Sequence, residues 1–286
     1  MAVIADLSDA INLLTGGGAA LPDHDWFYID GRIQAAVAAA TVAGRYTSLW
    51  QNNKTNGANG AVPPALASAA APTVATIGAL SVDDPTGGRQ HWITGIEGAI
   101  NALGTLILYD RLLHCSGASG TVTTAQTITG GAVTRYNDAT TSVGNQLIVE
   151  IYTAVGATAT TITCSYTNSA GTAGRTTKAT AFGGTGLNEV QRMIPLPLQD
   201  GDNGVISVQS VTVLATTATA GSFGITIARP LACAINGGIA GGFARDLIAG
   251  LPSMPEKLVG CCLALAWFAN TTTVPMGLVG IHMLEK

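Results

Sequence analysis

Residues 161–180 read TITCSYTNSAGTAGRTTKAT, and this stretch decides the fold class. Strand-forming residues stand on both sides of a centre made of Asn, Ser, Ala and Gly. β-Branched and aromatic residues favour strands, whereas Asn and Gly accept the backbone angles of tight turns. The pattern therefore predicts a β-hairpin that serves as framework. The residues that carry this prediction are Ile162, Thr163, Cys164 and Tyr166 before the turn, Asn168, Ser169, Gly171 and Gly174 within it, and Thr176, Thr177 and Thr180 after it.

Short strand-like runs between turn residues continue over residues 81–286. This spacing is typical of all-β sandwiches, so we expect a mainly β fold with one antiparallel, jelly-roll-like β-sandwich domain. A slip in the alternation of GVISVQSVTVL between Gln209 and Val211 predicts a bulge or a change in which face the side chains point to. A helical turn is expected near Phe243–Ala249. The candidate strands are Thr105–Leu113, Thr121–Ile128, Ala132–Tyr136, Gln146–Ala154, Thr160–Tyr166, Arg175–Ala181, Glu189–Ile194, Gly204–Leu214, Ser222–Ala228, Lys257–Phe268 and Met276–Leu284.

The first 80 residues differ in character from the rest of the chain. ADLSDAINLL at residues 5–14 predicts a short helix that Gly16–Gly18 would end. QNNKTNGANGAVPPALASAAAP at residues 51–72 consists almost throughout of residues typical of loops. We therefore expect residues 1–80 to form an extended N-terminal arm with short helices, which buries too little of its own surface to fold alone.

The composition favours a subunit of an assembly. Charged residues make up 10% of the chain, well below the roughly 25% typical of globular domains. Such a surface is more stable in water when neighbouring subunits cover part of it. The net charge of −4, without any run of basic residues, argues against nucleic-acid binding.

The cysteines and the N-terminus indicate a protein made in a reducing cytosol. Five cysteines cannot all be paired, and no CxxC pair suggests zinc binding. We expect all five to be reduced and to act as small apolar side chains. MAVIADLSDAINLL lacks the features of a signal peptide, and the apolar run 258–268 is too short to cross a membrane.

No set of residues has the spacing of a catalytic, cofactor or metal site. His114 and Cys115 are adjacent, but neighbours in a strand point to opposite faces and would not meet. The three residues Asp23–Asp25 are also adjacent, and adjacent side chains rarely converge on one ion. The turn QDGDNG at residues 199–204 resembles a calcium loop in composition, but a Glu is missing from the twelfth position counted from Asp200. We therefore predict no enzyme activity, no cofactor and no metal, with a looser calcium-binding turn left open.

Several phrases resemble virion structural proteins of tailed bacteriophages. They are QLIVEIYTAVG at residues 146–156, YTNSAGTAGRTT at 166–177, MIPLPLQDGDNGVISVQSVTVL at 193–214 and GITIARPLA at 224–232, with a weaker likeness in GRYTSLWQ at 44–51. The resemblance covers roughly residues 90–286. It implies a virion component without catalytic residues, of the capsid decoration (cement) type. The implied partners are the phage major capsid protein and copies of the same chain, as in a trimer, with no nucleic acid and no membrane.

Two other functions remain open on the sequence. One is a component of the tail or of the head–tail adaptor, which copy number per particle would separate from a decoration protein. The other is a carbohydrate-binding module for host attachment, which would use exposed aromatics such as Trp26, Tyr46, Trp50 or Trp92. For the decoration protein, we predict that aromatics of the arm insert between neighbouring subunits. These predicted interface residues are Trp26, Phe27, Tyr28, Tyr46 and Trp50.

Overall fold

The computed structural model describes residues 24–27, 41–52, 59–80, 82–85, 87–238, 241–246, 255–275 and 277–285. These residues form antiparallel strands and two short 3-10 turns, without any α-helix in the described ranges. The mainly β, antiparallel prediction is thereby confirmed. The strands are β1 (His24–Phe27), β2 (Tyr46–Ser48), β3 (His91–Ile100), β4 (Gly104–His114), β5 (Gln126–Thr127), β6 (Gln146–Thr153), β7 (Thr160–Asn168), β8 (Arg175–Thr176), β9 (Thr180–Phe182), β10 (Arg192–Leu196), β11 (Val205–Val213), β12 (Ser222–Asn236), β13 (Gly241–Asp246), β14 (Glu256–Lys257), β15 (Leu263–Ala269) and β16 (Gly277–Glu285).

A closed six-stranded barrel lies at the centre, with the strand order β10–β2–β15–β4–β12–β6. The hydrogen bonds between β6 and β10 close the ring, so that none of these strands has a free edge. A smaller sheet packs on each side of the barrel. The order is β1–β16–β3–β13 in one sheet, with β14 also paired to β3, and β5–β11–β7–β8 in the other, with β9 also paired to β7.

Side chains along the barrel strands point alternately outward and inward, and they contribute to three separate hydrophobic cores. Outward side chains such as Leu263 and Leu265 of β15 pack against Ile96 and Ile281 of the β1–β16–β3–β13 sheet. Outward side chains of β6, β10 and β12 pack in the same way against the β5–β11–β7–β8 sheet. Inward side chains form a third, smaller core inside the barrel. The layered arrangement is sandwich-like, and its closed barrel was not predicted from the sequence.

Part of the predicted N-terminal arm, residues 1–80, contributes to the barrel and its core. β2 pairs with both β10 and β15 and is needed to close the barrel. Leu80 is buried in the core between barrel and sheet, and the backbone of Ala70 exchanges hydrogen bonds with that of His114. Residues 41–52 and 59–80 are therefore part of the folded domain. The predicted helix at residues 5–14 lies outside the described residues.

The hairpin predicted from residues 161–180 is present. β7 runs to Asn168, and the chain returns as β8, with Tyr166 paired to Arg175. Gly171 and Gly174 have φ angles of 81° and 72°, which β-branched residues rarely adopt. The bulge expected near Gln209 is also confirmed, because the pairing of β11 with β7 shifts between Val208 and Ser210.

Other strand predictions differ from the structure. Residues 243–246 belong to β13 and not to a helical turn, because they pair with β3; residues 247–249 lie outside the described ranges. β3 itself was missed, since Gly95 and Gly98 interrupt its apolar pattern. An added Cβ at Gly98 would meet the carbonyl of Leu278, which explains the glycine. Pro230 hid the second half of β12, where a register shift beside the proline allows the strand to continue.

The turn 199–204 holds its carboxylates in contacts within the protein. Asp202 accepts hydrogen bonds from Arg175 Nε at 2.9 Å, Tyr166 Oη at 2.6 Å and Asn168 Nδ2 at 2.7 Å. Asp200 pairs with Lys178, and both side chains are largely exposed. Asp202 thus fastens the turn to β7 and β8, whereas the exposed Asp200–Lys178 pair contributes little.

We predict that Asp202 makes stability depend on pH in the acid range. Burial tends to raise its pKa, but the bonds from Arg175, Tyr166 and Asn168 lower it to about 2, from an ordinary value of 3.8. A depressed pKa gives stability that is present above the unfolded value and is lost as pH falls through the folded value. The melting temperature of Asp202→Asn should therefore fall less between pH 4 and pH 2 than that of the unmodified protein. Asp200→Asn is the matched control, and an equal acid response in all three proteins would contradict the assignment.

Candidate functional site: the barrel interior

The inward side chains of the barrel are fixed by strand register. On β4 they are Ile107, Tyr109 and Arg111, opposite Cys233, Pro230 and Ala228 of β12. Across the other edge of β4, Ala266 and Ala264 of β15 face Ile107 and Tyr109. The interior has two halves of different character, one polar and closed and the other apolar and open.

Arg111 is the centre of the polar half. Its guanidinium donates to Glu150 Oε2 at 2.6 Å, to Tyr152 Oη at 2.9 Å and, through Nε, to His114 Nδ1 at 3.0 Å. It also lies 4.6 Å from the centre of the Trp50 ring, in a cation–π arrangement. Arg111 and Glu150 are almost completely excluded from solvent, with side-chain exposures of 0% and 1%.

Glu150 remains the negative partner of this network. Its carboxylate also accepts hydrogen bonds from Tyr152 Oη at 3.0 Å and Thr226 Oγ1 at 2.9 Å. Burial alone would raise the pKa of Glu150, but the charge and hydrogen bond of Arg111 outweigh it and hold the pKa below the ordinary value. The ion pair therefore persists at neutral pH.

His114 and Cys115 lie on opposite faces of the chain. His114 packs edge-on against Trp50 and accepts the Arg111 hydrogen bond, whereas Cys115 lies in the core formed with the β5–β11–β7–β8 sheet. Burial and the Arg111 charge lower the pKa of His114 to about 2. Burial raises the pKa of the Cys115 thiol to about 11. A neutral, engaged imidazole and a protonated thiol on separate faces do not form a nucleophile–base pair.

A second buried charge lies on the outer side of the barrel. Asp110 accepts two hydrogen bonds from the Arg135 guanidinium, at 3.0 and 2.8 Å, and a third from the Cys262 backbone N–H at 2.9 Å. Its side chain is fully buried, and that of Arg135 nearly so. This pair fastens the loop that follows β5 to β4 and β15.

The apolar half of the interior is an open cavity of about 870 Å³. Its walls are inward residues of the barrel strands, and its rim is formed by the Pro197–Asn203 turn, Gly144 and Arg245. Pro195, Pro230 and Cys233 are exposed there although they lie on inward positions, which shows that solvent enters. The inward wall residues are Tyr46, Ile107, Tyr109, Gln146, Ile148, Met193, Pro195, Ala228, Pro230, Cys233 and Ala266.

The structure describes the surroundings of two predicted interface residues, Tyr46 and Trp50. Trp50 is 1% exposed and donates its indole N–H to the Ala61 carbonyl, and Tyr46 lines the cavity beside Phe268. Tyr46 faces the lumen because β2 is a barrel strand, and Trp50, in the 3-10 turn that follows β2, packs in the core inside the barrel. Trp26 and Phe27 lie in β1, paired with β16, and Tyr28 lies outside the described residues.

Sequence reasoning missed the buried charges, although a signal for them was present. Asp110 and Arg111 interrupt the apolar run LILYDRLLHC, and Glu150 interrupts LIVEIY. A charged residue inside a strand that is otherwise apolar must be paired, since an unpaired buried charge is too costly. That rule would have marked Asp110, Arg111 and Glu150 as buried charges that each need a partner.

Comparisons with protein-family models, curated proteins and solved structures found no match to this chain. Within the described ranges, no group of three or more His, Cys, Asp or Glu residues is arranged to hold a metal ion. Among the same residues, no helix is long and apolar enough to span a membrane.

The cysteines provide a direct check on this interior. All five are free thiols; Cys233 is exposed at the cavity wall, and the other four are buried. Burial also raises the pKa of Cys262 to about 12 and that of Cys164 above its usual range. We predict that a thiol-specific chromogenic disulfide reagent detects one fast thiol in the native protein and five in denaturant. Cys233→Ser should abolish the fast thiol, whereas several fast thiols in the native protein would contradict the burial of the others.

Proposed function

We propose that this protein is a non-enzymatic structural component of a tailed-bacteriophage particle, of the capsid decoration type. The observation that carries the proposal is a surface with few charges and several large exposed apolar side chains. Leu214 and Val259 are 74% and 66% exposed, and Leu278 lies exposed on a sheet on the opposite side of the barrel from Leu214. Single exposed apolar residues are ordinary, but together with a 10% charge content they favour burial against neighbours.

The buried polar network supports the non-enzymatic part of this proposal. Arg111, Glu150 and His114 could serve catalysis by residue type, yet each is engaged with the others inside the barrel. A network satisfied in this way rigidifies the fold and presents no free acid, base or nucleophile to solvent. The chemistry-bearing side chains then have a structural role.

The proposed partners are the phage major capsid protein and further copies of the chain, with the virion as the location. Trp26, Phe27 and Tyr28 remain the proposed arm anchors, and we no longer propose Tyr46 and Trp50, because Tyr46 lines the barrel cavity and Trp50 is buried. The jelly-roll-like strand crossing is likewise kept as a proposal. No observation favours the carbohydrate-binding alternative, since two of its four candidate aromatics are interior.

The experiment is quantitative mass spectrometry of purified virions from the phage that encodes the chain. A decoration protein should be present in hundreds of copies, in a fixed ratio to the major capsid protein. About a dozen copies would instead identify a tail or adaptor ring. Absence of the chain from the virion would overturn the proposal, and imaging of the particle would locate the subunit.

A further inference from the structure

We propose that the open half of the barrel is a binding site for a small, uncharged and mainly apolar molecule. A six-stranded barrel is narrow, and side chains normally fill such an interior. Here the inward positions 228 and 266 are alanine, and a cavity of about 870 Å³ remains between Tyr109 and the rim. That volume is within the range of sites for drug-sized ligands, and the site adds a function to the structural one proposed above.

The chemistry of the wall defines the ligand class. Ile107, Ile148, Met193 and Ala266 give an apolar surface, and the inward wall carries no charged side chain among the described residues. A charged ligand would lose its hydration without gaining a partner, and the interior therefore selects against it. An apolar ligand displaces water from these side chains, and the burial of apolar surface on both sides lowers the free energy of the complex.

Apart from Arg245 at the rim, the charged residues beside the cavity are engaged in ion pairs, which strengthens this selection. Beyond the cavity floor, Arg111 is neutralised by Glu150, and its bond to the Tyr109 hydroxyl at 3.3 Å fixes the floor. At the rim, Asp200 and Asp202 pair with Lys178 and Arg175. The exposed Gln146 lies on an inward position at the mouth and can bond an uncharged polar end of the ligand.

The lateral enclosure of the cavity favours a small molecule over a docking protein. Its walls come from all six barrel strands, so a ligand in the lumen is surrounded laterally by β2, β4, β6, β10, β12 and β15. Most of the surface of a small ligand is removed from water in such a site. A partner protein could insert only a side chain and would leave the lumen largely empty.

The test uses the chain of residues 1–286 and the neutral fluorophore N-phenyl-1-naphthylamine. We expect saturable binding, with a large rise in emission and one site per chain, and at least tenfold weaker binding of the anionic 1-anilinonaphthalene-8-sulfonate. Ala228→Leu and Ala266→Leu place a larger side chain in the lumen and should each weaken binding at least tenfold. Ala181→Leu, at an exposed strand position away from the cavity, is the matched control and should bind normally.

Cys233 gives a second measurement that does not depend on the folding of the lumen variants. In the chain without substitutions, a saturating concentration of N-phenyl-1-naphthylamine should slow the alkylation of Cys233 at least fivefold. Absence of saturable binding, binding that both lumen variants leave unchanged, or alkylation that the probe does not slow would each overturn the proposal. If the probe instead competes with concentration-dependent self-association of the chain, the occupant is a second copy and the small-molecule assignment is wrong.

Discussion

Glu150→Ala is expected to lower the free energy of unfolding by about 3–5 kcal/mol, the range found when one partner of a buried ion pair is removed. The substitution leaves the Arg111 guanidinium buried without its negative partner, and it also removes the acceptor for Tyr152 and Thr226. Because domains are stable by only about 5–15 kcal/mol, the variant should be close to unfolding at 37 °C. Urea titration followed by circular dichroism at pH 7 measures the change.

Two further variants distinguish the effect of breaking the ion pair from the effect of losing side-chain packing. Glu150→Gln keeps the size of the side chain and should still be strongly destabilised, because Arg111 is again uncompensated. The double variant Arg111→Met with Glu150→Leu should recover much of the loss, since apolar replacements of buried pairs are often tolerated. Glu97→Ala is the matched strand control, as its contact with His282 is partly exposed and worth little. Costs below 1 kcal/mol for both single variants at Glu150 would mean that water reaches the pair.

The same pair should contribute to the loss of stability in acid. The pKa of Glu150 is held below its ordinary value, so its contribution is present at neutral pH and is lost as pH falls through the folded-state pKa. The Arg111→Met, Glu150→Leu double variant lacks this titration. Thermal melting between pH 5 and pH 2 compares the double variant with the unmodified protein. The melting temperature of the double variant should fall less over this range.

Local patterns in the sequence predicted local structure well. The hairpin of residues 161–180 and the bulge at Gln209 depend on neighbouring residues alone, and both were correct. The closure of the barrel depends instead on contacts across long separations, such as those of Thr47 in β2 with Arg192 and Trp267. Three residues of strand within a segment rich in loop-forming residues give no local signal of that role.

The candidate site was hidden for a similar physical reason. Alanines at positions 228 and 266 are ordinary strand residues in sequence, and their effect on the cavity appears only when the strand register turns both of them inward. Trp50 looked like an exposed anchor because loop-forming residues follow it. Its burial depends on Arg111, whose guanidinium lies over the ring, and on Ala61, which accepts its indole hydrogen bond. Neither partner is close enough in sequence to show in a local pattern.

Gly224→Ala is expected to destabilise the protein by about 3 kcal/mol, at the upper end of the cost of overpacking. Gly224 lies in β12 opposite Glu150, where the end of β4 crosses closely. A Cβ at this position would collide with the carbonyl oxygen of Cys115 and press against the Cα of Ser116. Both are backbone atoms, held by hydrogen bonds from Cys115 to the Ile225 carbonyl and from Ser116 to the Pro64 carbonyl, so neither can rotate away as a side chain could.

The loss at Gly224 follows from close backbone approach and not from glycine flexibility, and Gly242→Ala tests that distinction. Gly242 is also a strand glycine, but the nearest atom to an added Cβ is the Gly98 carbonyl oxygen at 3.6 Å, an ordinary contact. Alanine there restricts the unfolded chain without strain and should be neutral or stabilise by up to about 1 kcal/mol. Urea titration of both variants gives the comparison. A similarly small change in the free energy of unfolding at positions 224 and 242 would show that β4 and β12 can separate at Cys115. The barrel would then be less tightly closed at its polar end than the Arg111–Glu150 network requires.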